Sequence, residues 1–246
     1  SQIAMPSSFG LWFSAYAETL IDDIIMLNGA KSVIDQNPLG SAAGYGSSFP
    51  IDRMETTKEL GFSDLKFNSL AAQISRGRIE LTTSNAIASL ASTLSKFSMD
   101  ICLYMGQEFE FISFPKNLTT GSSIMPHKNN PDVFELIRGK CNLLRSLPTQ
   151  LTILTSNLPG GYHREMQLAK GPIIEAVKEI KECLEIFAET LKDIKVKKDI
   201  LKDLKYKNIF SVDTLNKWVK QGVPFRDAYV KMKKQIESKE YKPSQK

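Results

Sequence analysis

Apolar residues recur at intervals of three and four between Ser7 and Ser32, at Phe9, Phe13, Tyr16, Leu20, Ile24 and Leu27. That spacing predicts a helix of roughly 25 residues. The pattern then stops. Residues 37–50, NPLGSAAGYGSSFP, are rich in Gly, Ser and Pro and read as a loop. Met54 to Leu60 reads as a short helix closed by Gly61, the usual left-handed stop. Helical spacing returns from Phe67 to Phe111 through Leu70, Ile74, Ile87, Leu90, Leu94, Phe97, Ile101, Tyr104, Met105 and Glu108. Gly77 and Gly106 count as tolerable interruptions at about 1 kcal/mol each. One long helix is expected. Its small residues Ala86, Ala88, Ser89, Ala91 and Ser92 allow close contact with several neighbours, as in the middle of a bundle or an oligomer.

Two more helices are expected, Asp132 to Thr155 and Pro172 to Asp193. The second carries an apolar stripe of Ile173, Val177, Ile180, Leu184, Phe187 and Leu191. Lys192 to Lys207 is a charge-rich connection with solvated lysines. Ser211, Val212 and Asp213 open a short helix that Gly222 ends, and Pro224 opens another through about Ile236. No strand pattern and no repeat is evident. The expected fold is all-α, an elongated long-helix bundle over residues 1–200 with a small, partial C-terminal helical domain over 201–246.

Of 246 residues, 42% are apolar and 24% charged, which are globular proportions. The net charge of +5, from 32 basic and 27 acidic residues, suits an acidic small substrate better than nucleic acid. Cys102, Cys141 and Cys183 lie far apart within apolar helical patterns. No pair has metal-ligand or redox spacing, so buried free thiols in a reducing cytoplasm are expected. The uncharged opening, residues 1–17, lacks the basic leader of a signal peptide and is interrupted by Pro6 and Gly10. No apolar run is expected to span a bilayer.

One stretch, TTGSSIMPHKNNPDVFELIRGK (Thr119 to Lys140), joins a loop carrying two serines and a lysine to a marked helix start. Asn130 suits the N-cap, Pro131 the first helical position, and Asp132 complements the positive helix end. The free amides of such a terminus, with Lys128 beside them, form a receptor for a carboxylate gaining charge. A serine above it could remove a proton from the neighbouring carbon, provided its ionisation is favoured. Ser/Gly loops ahead of capped helices are also common without any chemistry, and the pattern alone leaves both readings open.

The segment GSSIMPHKNNP resembles the signature of the fumarase/aspartase superfamily, G-S-S-x-M-P-x-K-x-N. The resemblance implies a fold of that long-helix type. It makes Ser122 the catalytic base on a mobile loop, with Lys128 and Asn130 holding the reacting carboxylate. It makes Glu135 the acid that positions an active-site histidine. The stretch LPGGYHREMQLAK resembles the argininosuccinate lyase members, in which Y-x4-Q-x2-K contacts substrate; here these are Tyr162, Gln167 and Lys170. NPLGSAAGYGSSFPIDR and SVDTLNKWVKQGVPFRDAY resemble further segments of the same branch, so the likeness runs along nearly the whole chain. It implies reversible β-elimination of argininosuccinate to arginine and fumarate, in the cytoplasm. It implies a homotetramer with active sites shared between chains, no metal or organic cofactor, and no nucleic-acid or membrane partner. The alternatives are another fumarate-releasing lyase of the superfamily, acting on adenylosuccinate, aspartate or malate, or a catalytically silent structural homologue.

The chain departs from the pattern in places. The family's Thr-His pair lies just upstream of a segment matching Ser1-Gln2-Ile3-Ala4-Met5-Pro6, so the pair is expected before residue 1. The 246 residues are therefore expected to fold and associate without activity of their own. His127 stands at a variable loop position, and His163 is expected to be structural or peripheral. Gly77 falls where the family has an arginine, with Arg76 and Arg78 on either side. Tyr229 replaces a C-terminal family histidine.

Overall fold

The computed structural model describes residues 3–243. Of the matching segment at the chain start, Ser1 and Gln2 lie outside the described residues. The chain divides into two compact units: residues 15–195, and residues 1–14 together with 196–246.

The larger unit is organised around α4 (Arg78–Met105). Its buried side chains, Ala86, Ile87, Leu90, Ala91, Leu94, Phe97 and Ile101, meet α5 (Asp132–Leu144), α6 (Leu147–Leu154) and α7 (Lys170–Leu191). The small residues picked out from the sequence are why three helices can approach one. A run of rings ties the bundle together. Tyr16, on α1 (Phe9–Ile34), stacks on Phe97 at 4.0 Å; Phe97 meets Phe187 at 4.9 Å; Phe187 meets Phe134 edge-on at 5.6 Å. The Tyr16 hydroxyl donates to Asp100 Oδ2 at 2.7 Å, and burial, then this bond, holds its proton on well above the usual phenol range. By length and composition α4 could cross a bilayer, against the expectation that no such run exists. It serves here as a core helix, with 56% of its apolar window buried.

Two helices expected to be continuous are broken. The Phe67–Phe111 run divides into α3 (Ser69–Ile74) and α4, and ends at Gly106. Gly77 has φ +85°, closed to most side chains, and its amide donates to Glu80 Oε2 at 2.7 Å. A Cβ there would lie 2.6 Å from Thr155 Cγ2. The glycine is thus a joint where two helices touch. Gly77→Ala is expected to lower unfolding free energy by about 2–4 kcal/mol, from backbone strain plus the clash. Urea unfolding checks this, and an unchanged midpoint would disprove the close approach. The Asp132–Thr155 run breaks between α5 and α6, where Pro148 has no amide to give the Leu144 carbonyl.

Residues 37–50, read as a plain loop, are pinned from beneath. Asn37 is fully buried; its amide donates to Thr57 Oγ1 at 2.9 Å and Thr56 Oγ1 at 3.1 Å, and its Oδ1 accepts from Leu39 N. The guanidinium of Arg53, the first residue of α2 (Arg53–Glu59), donates to the carbonyls of Leu39, Lys66 and Phe67, each at 2.8 Å. Two-residue strands β1 (Gln36–Asn37) and β2 (Asp64–Leu65) pair in parallel, too short to leave any period in the sequence.

Cys141 on α5 and Cys183 on α7, distant in sequence, meet in the core as free thiols. The Cys183 hydrogen bond and then burial push the Cys141 thiol far up, so it is held protonated.

The smaller unit contains α8 (Ser211–Lys220) and α9 (Phe225–Glu237), near the expected bounds, with Gly222 at φ +97° between them. Leu215, Ala228, Met232 and Tyr241 form its core, with Trp218 and Ile236 packed against it.

Candidate functional site

The serine loop is closed at its neck. Thr120 and Asn130 form an antiparallel bridge, N–H to carbonyl in both directions at 3.1 and 2.8 Å. Residues 121–129 form the loop between them, and the Lys128 amide donates to the Met125 carbonyl at 3.0 Å. Ser122 is half-buried, and its Oγ accepts from two backbone amides, Met125 N at 3.2 Å and Ile124 N at 3.3 Å. Donors aimed at a hydroxyl oxygen favour its ionised form. Lys128 is exposed and makes no ion pair among the described residues.

The helix after the loop starts one residue later than expected. α5 begins at Asp132, and the Pro131 carbonyl accepts from Phe134 N and Glu135 N at 2.9 and 3.0 Å. Asn130 therefore does not cap it. Its backbone belongs to the neck bridge, which leaves its side-chain amide available to a ligand. The Thr120 hydroxyl donates to the Asp132 carboxylate, securing the neck a second time. Phe134, 1% exposed, anchors the start of α5 in the ring cluster. Glu135, next to it, is exposed on the first turn and acts electrostatically on Cys102 of α4, whose thiol is raised chiefly by burial.

A second group gathers at the start of α7. Tyr162 is 52% exposed after Gly161 at φ +133°. Residues Arg164–Ala169 form a 3-10 turn that runs into α7 at Lys170. The Lys170 amide donates to the Gln167 carbonyl, so these two exposed residues stand one turn apart on one face. Met166 and Ala169 are buried and hold the turn down. His163 Nε2 lies 2.7 Å from the Pro159 carbonyl, a local bond that occupies one ring nitrogen. His127 is exposed and forms no hydrogen bond or ion pair among the described residues. No hydrogen bond or ion pair among the described residues joins the Ser122 loop to the Tyr162–Lys170 group.

The two arginines flanking Gly77 differ in their surroundings. Arg76 donates through Nε to Glu80 Oε1 and through Nη2 to the Met166 carbonyl, both at 3.0 Å. Arg78 is exposed on the first turn of α4 and makes no ion pair among the described residues. Strain and Thr155 exclude a side chain at position 77 itself. The Arg76–Glu80 arrangement was not read from the sequence. Its only trace there is an (i, i+4) Arg-Glu pair bracketing a glycine.

A family model described as "Lyase" matches residues 1–144. The chain is 52% identical to an argininosuccinate lyase of Bacteroides fragilis over 237 residues, 96% of this chain and 53% of that one. It is 50% identical to the argininosuccinate lyase of Parabacteroides distasonis over 243 residues, 99% of this chain and 54% of that one. The chain spans about half the length of the curated relatives it matches. Among solved structures, EDDS lyase in complex with formate superposes with a TM-score of 0.80 at 21% identity, covering 96% of this chain and 48% of that one. A class II fumarase from Schistosoma mansoni gives 0.75 at 17%, covering 94% and 56%. At such identities these structures speak for the fold alone, and the expected long-helix, all-α architecture is the one they share. The match of the family model to residues 1–144 and the identity to the curated relatives agree: the chain belongs to the lyase family and is a homologue of argininosuccinate lyases.

Proposed function

We propose that the protein to which this chain belongs cleaves argininosuccinate reversibly to arginine and fumarate in the cytoplasm. The observation that carries this is the 52% identity to an argininosuccinate lyase across 96% of the chain. In this reading Ser122, ionised under its two amide donors, takes a proton from the substrate carbon next to a carboxylate. The electron pair left behind spreads into that carboxylate, making it doubly charged. Lys128, the Asn130 side chain and the amides opening α5 stabilise it. The pair then forms the double bond of fumarate as the carbon–nitrogen bond breaks. The departing guanidinium nitrogen takes a proton from a histidine, directly or through water, which Glu135 positions. Tyr162, Gln167 and Lys170 hold the remaining carboxylates of the substrate.

The reading includes a homotetramer whose active sites are shared between chains, with residues 1–200 as its central domain and 201–246 as part of a C-terminal one. What supports association is α1, where Ile21, Ile24, Ile25 and Met26 are each about half exposed, which is unusual for so many large apolar residues on one short stretch.

Fumarate release from argininosuccinate, adenylosuccinate, aspartate and malate, followed by ultraviolet absorbance with the protein at the length of its relatives, tests the reading. Release from argininosuccinate alone is expected. Release from none, or a preference for another of the four, would reject it.

A further inference from the structure

The 3-10 turn Arg164–Ala169 carries Gln167 and leads into Lys170, yet such a turn has poor hydrogen-bond geometry and little stability of its own. Met166 and Ala169 bury beneath it, but apolar contact is non-directional and does not fix where the exposed face points. Among the described residues, a single side-chain hydrogen bond ties this turn to the junction between α3 and α4: Arg76 Nη2 to the Met166 carbonyl, 3.0 Å. Arg76 is itself oriented by Glu80, whose Oε1 accepts from Arg76 Nε at 3.0 Å while Oε2 accepts from Gly77 N at 2.7 Å. The side chains of Arg76 and Glu80 are 31% and 12% exposed, so both carboxylate oxygens are used in a largely dry setting. A Cβ added at Gly77, between the two, would lie 3.4 Å from Met166 Sδ, so the junction and the turn lie close together there.

We propose that Glu80, acting through Arg76, is a positioning residue that sets the place of Gln167 and Lys170 against the substrate. The inference rests on the reading of those two residues as substrate contacts. A carboxylate fixes a planar guanidinium in one orientation, and the guanidinium fixes a backbone carbonyl one residue before Gln167. The assignment also gives the arginines flanking Gly77 different tasks. Arg76 belongs to the scaffold, and Arg78 is the cation left open to a ligand.

Glu80→Gln separates this from the rival assignment, in which Arg76 itself binds a substrate carboxylate. The variant leaves the Arg76 cation in place and removes its partner. A substrate-binding Arg76 would then be freed, and KM would fall or stay. A positioning Glu80 predicts that KM for argininosuccinate rises about tenfold, the scale of one charge-assisted bond, with kcat within about twofold. It predicts that the same change costs little in a Lys170→Met background, because both act through one contact. It further predicts that the amides of residues 164–169 exchange hydrogen about tenfold faster in Glu80→Gln without substrate. The unsubstituted protein is assayed first. Failure to release fumarate there rejects the function. Release there, with an unchanged or lower KM in Glu80→Gln, full multiplication with Lys170→Met, or unchanged exchange, rejects the positioning role. If Glu80→Gln does not fold, Arg76→Lys, which keeps the charge but not the fork, is held to the same KM and exchange criteria.

Discussion

Replacing Ser122 with alanine is expected to lower kcat for argininosuccinate cleavage by about 10³-fold or more, with KM within about threefold. The asymmetry follows from the loop's geometry. The Ser122 oxygen is turned inward onto Ile124 N and Met125 N, so its hydrogen-bonding capacity goes to the loop's own amides. A hydroxyl so held contributes little to binding a ground-state ligand. It gains most from those donors when it carries negative charge, as a serine must in order to act as an effective base. The variant therefore loses the proton acceptor and leaves the carboxylate contacts in place. Fold stability is expected to change by under about 0.5 kcal/mol, since the loop is mostly exposed and its neck is closed by Thr120, Asn130 and Asp132 rather than by Ser122. Ser123, exposed and with no hydrogen bond through its side chain among the described residues, supplies the control. Ser123→Ala is expected to keep kcat within about fivefold, because among the described residues no amide donates to its hydroxyl as two do to that of Ser122. If Ser122→Ala retained normal turnover, or if Ser123→Ala were the damaging change, the assignment of the base would be wrong.

How much of this was legible beforehand depends on the range of the interactions. The helices of the bundle were readable because α5 and α7 each repeat a buried stripe over several turns, and because α4 keeps apolar and small residues at helical spacing on the several faces it buries. Their breaks were not. Gly77 reads as a weak point in a helix, and only the approach of Thr155, 78 residues away, makes it a joint. Asn37 reads as a loop residue, and the partners of its buried side chain are threonines of α2, 19 and 20 residues later. The serine loop was legible as a motif, and its place directly ahead of a helix start was too. The neck bridge that releases Asn130 from capping duty was not, because a two-residue pairing has no period. Cys141 and Cys183 show the same limit, since spacing along the chain carries no information about contact between α5 and α7. The Arg76–Glu80 tether is the clearest case. Its local half, an (i, i+4) pair, is visible in the sequence, but its meaning lies in the Met166 carbonyl ninety residues on.

Lys128→Met is expected to reduce kcat/KM by about 10²- to 10³-fold, with most of the loss in kcat. The argument turns on when the charge appears. In the ground state the reacting carboxylate carries one negative charge, and an exposed lysine beside it contributes modestly through solvent. Once the neighbouring carbon has lost its proton, the same group approaches two charges, and loop closure over substrate would remove the water that screens it. An interaction that strengthens between these states lowers the barrier rather than merely gathering substrate. Lys170 stands differently in the proposed site, holding a carboxylate whose charge does not change during the reaction. Lys170→Met is therefore expected to act mainly on KM, by about tenfold or more. Steady-state kinetics of the two variants side by side distinguish the roles. A Lys128→Met protein with normal kcat and raised KM would make Lys128 a simple binding residue. Charge stabilisation in the elimination would then have to come from the α5 terminus and Asn130 alone.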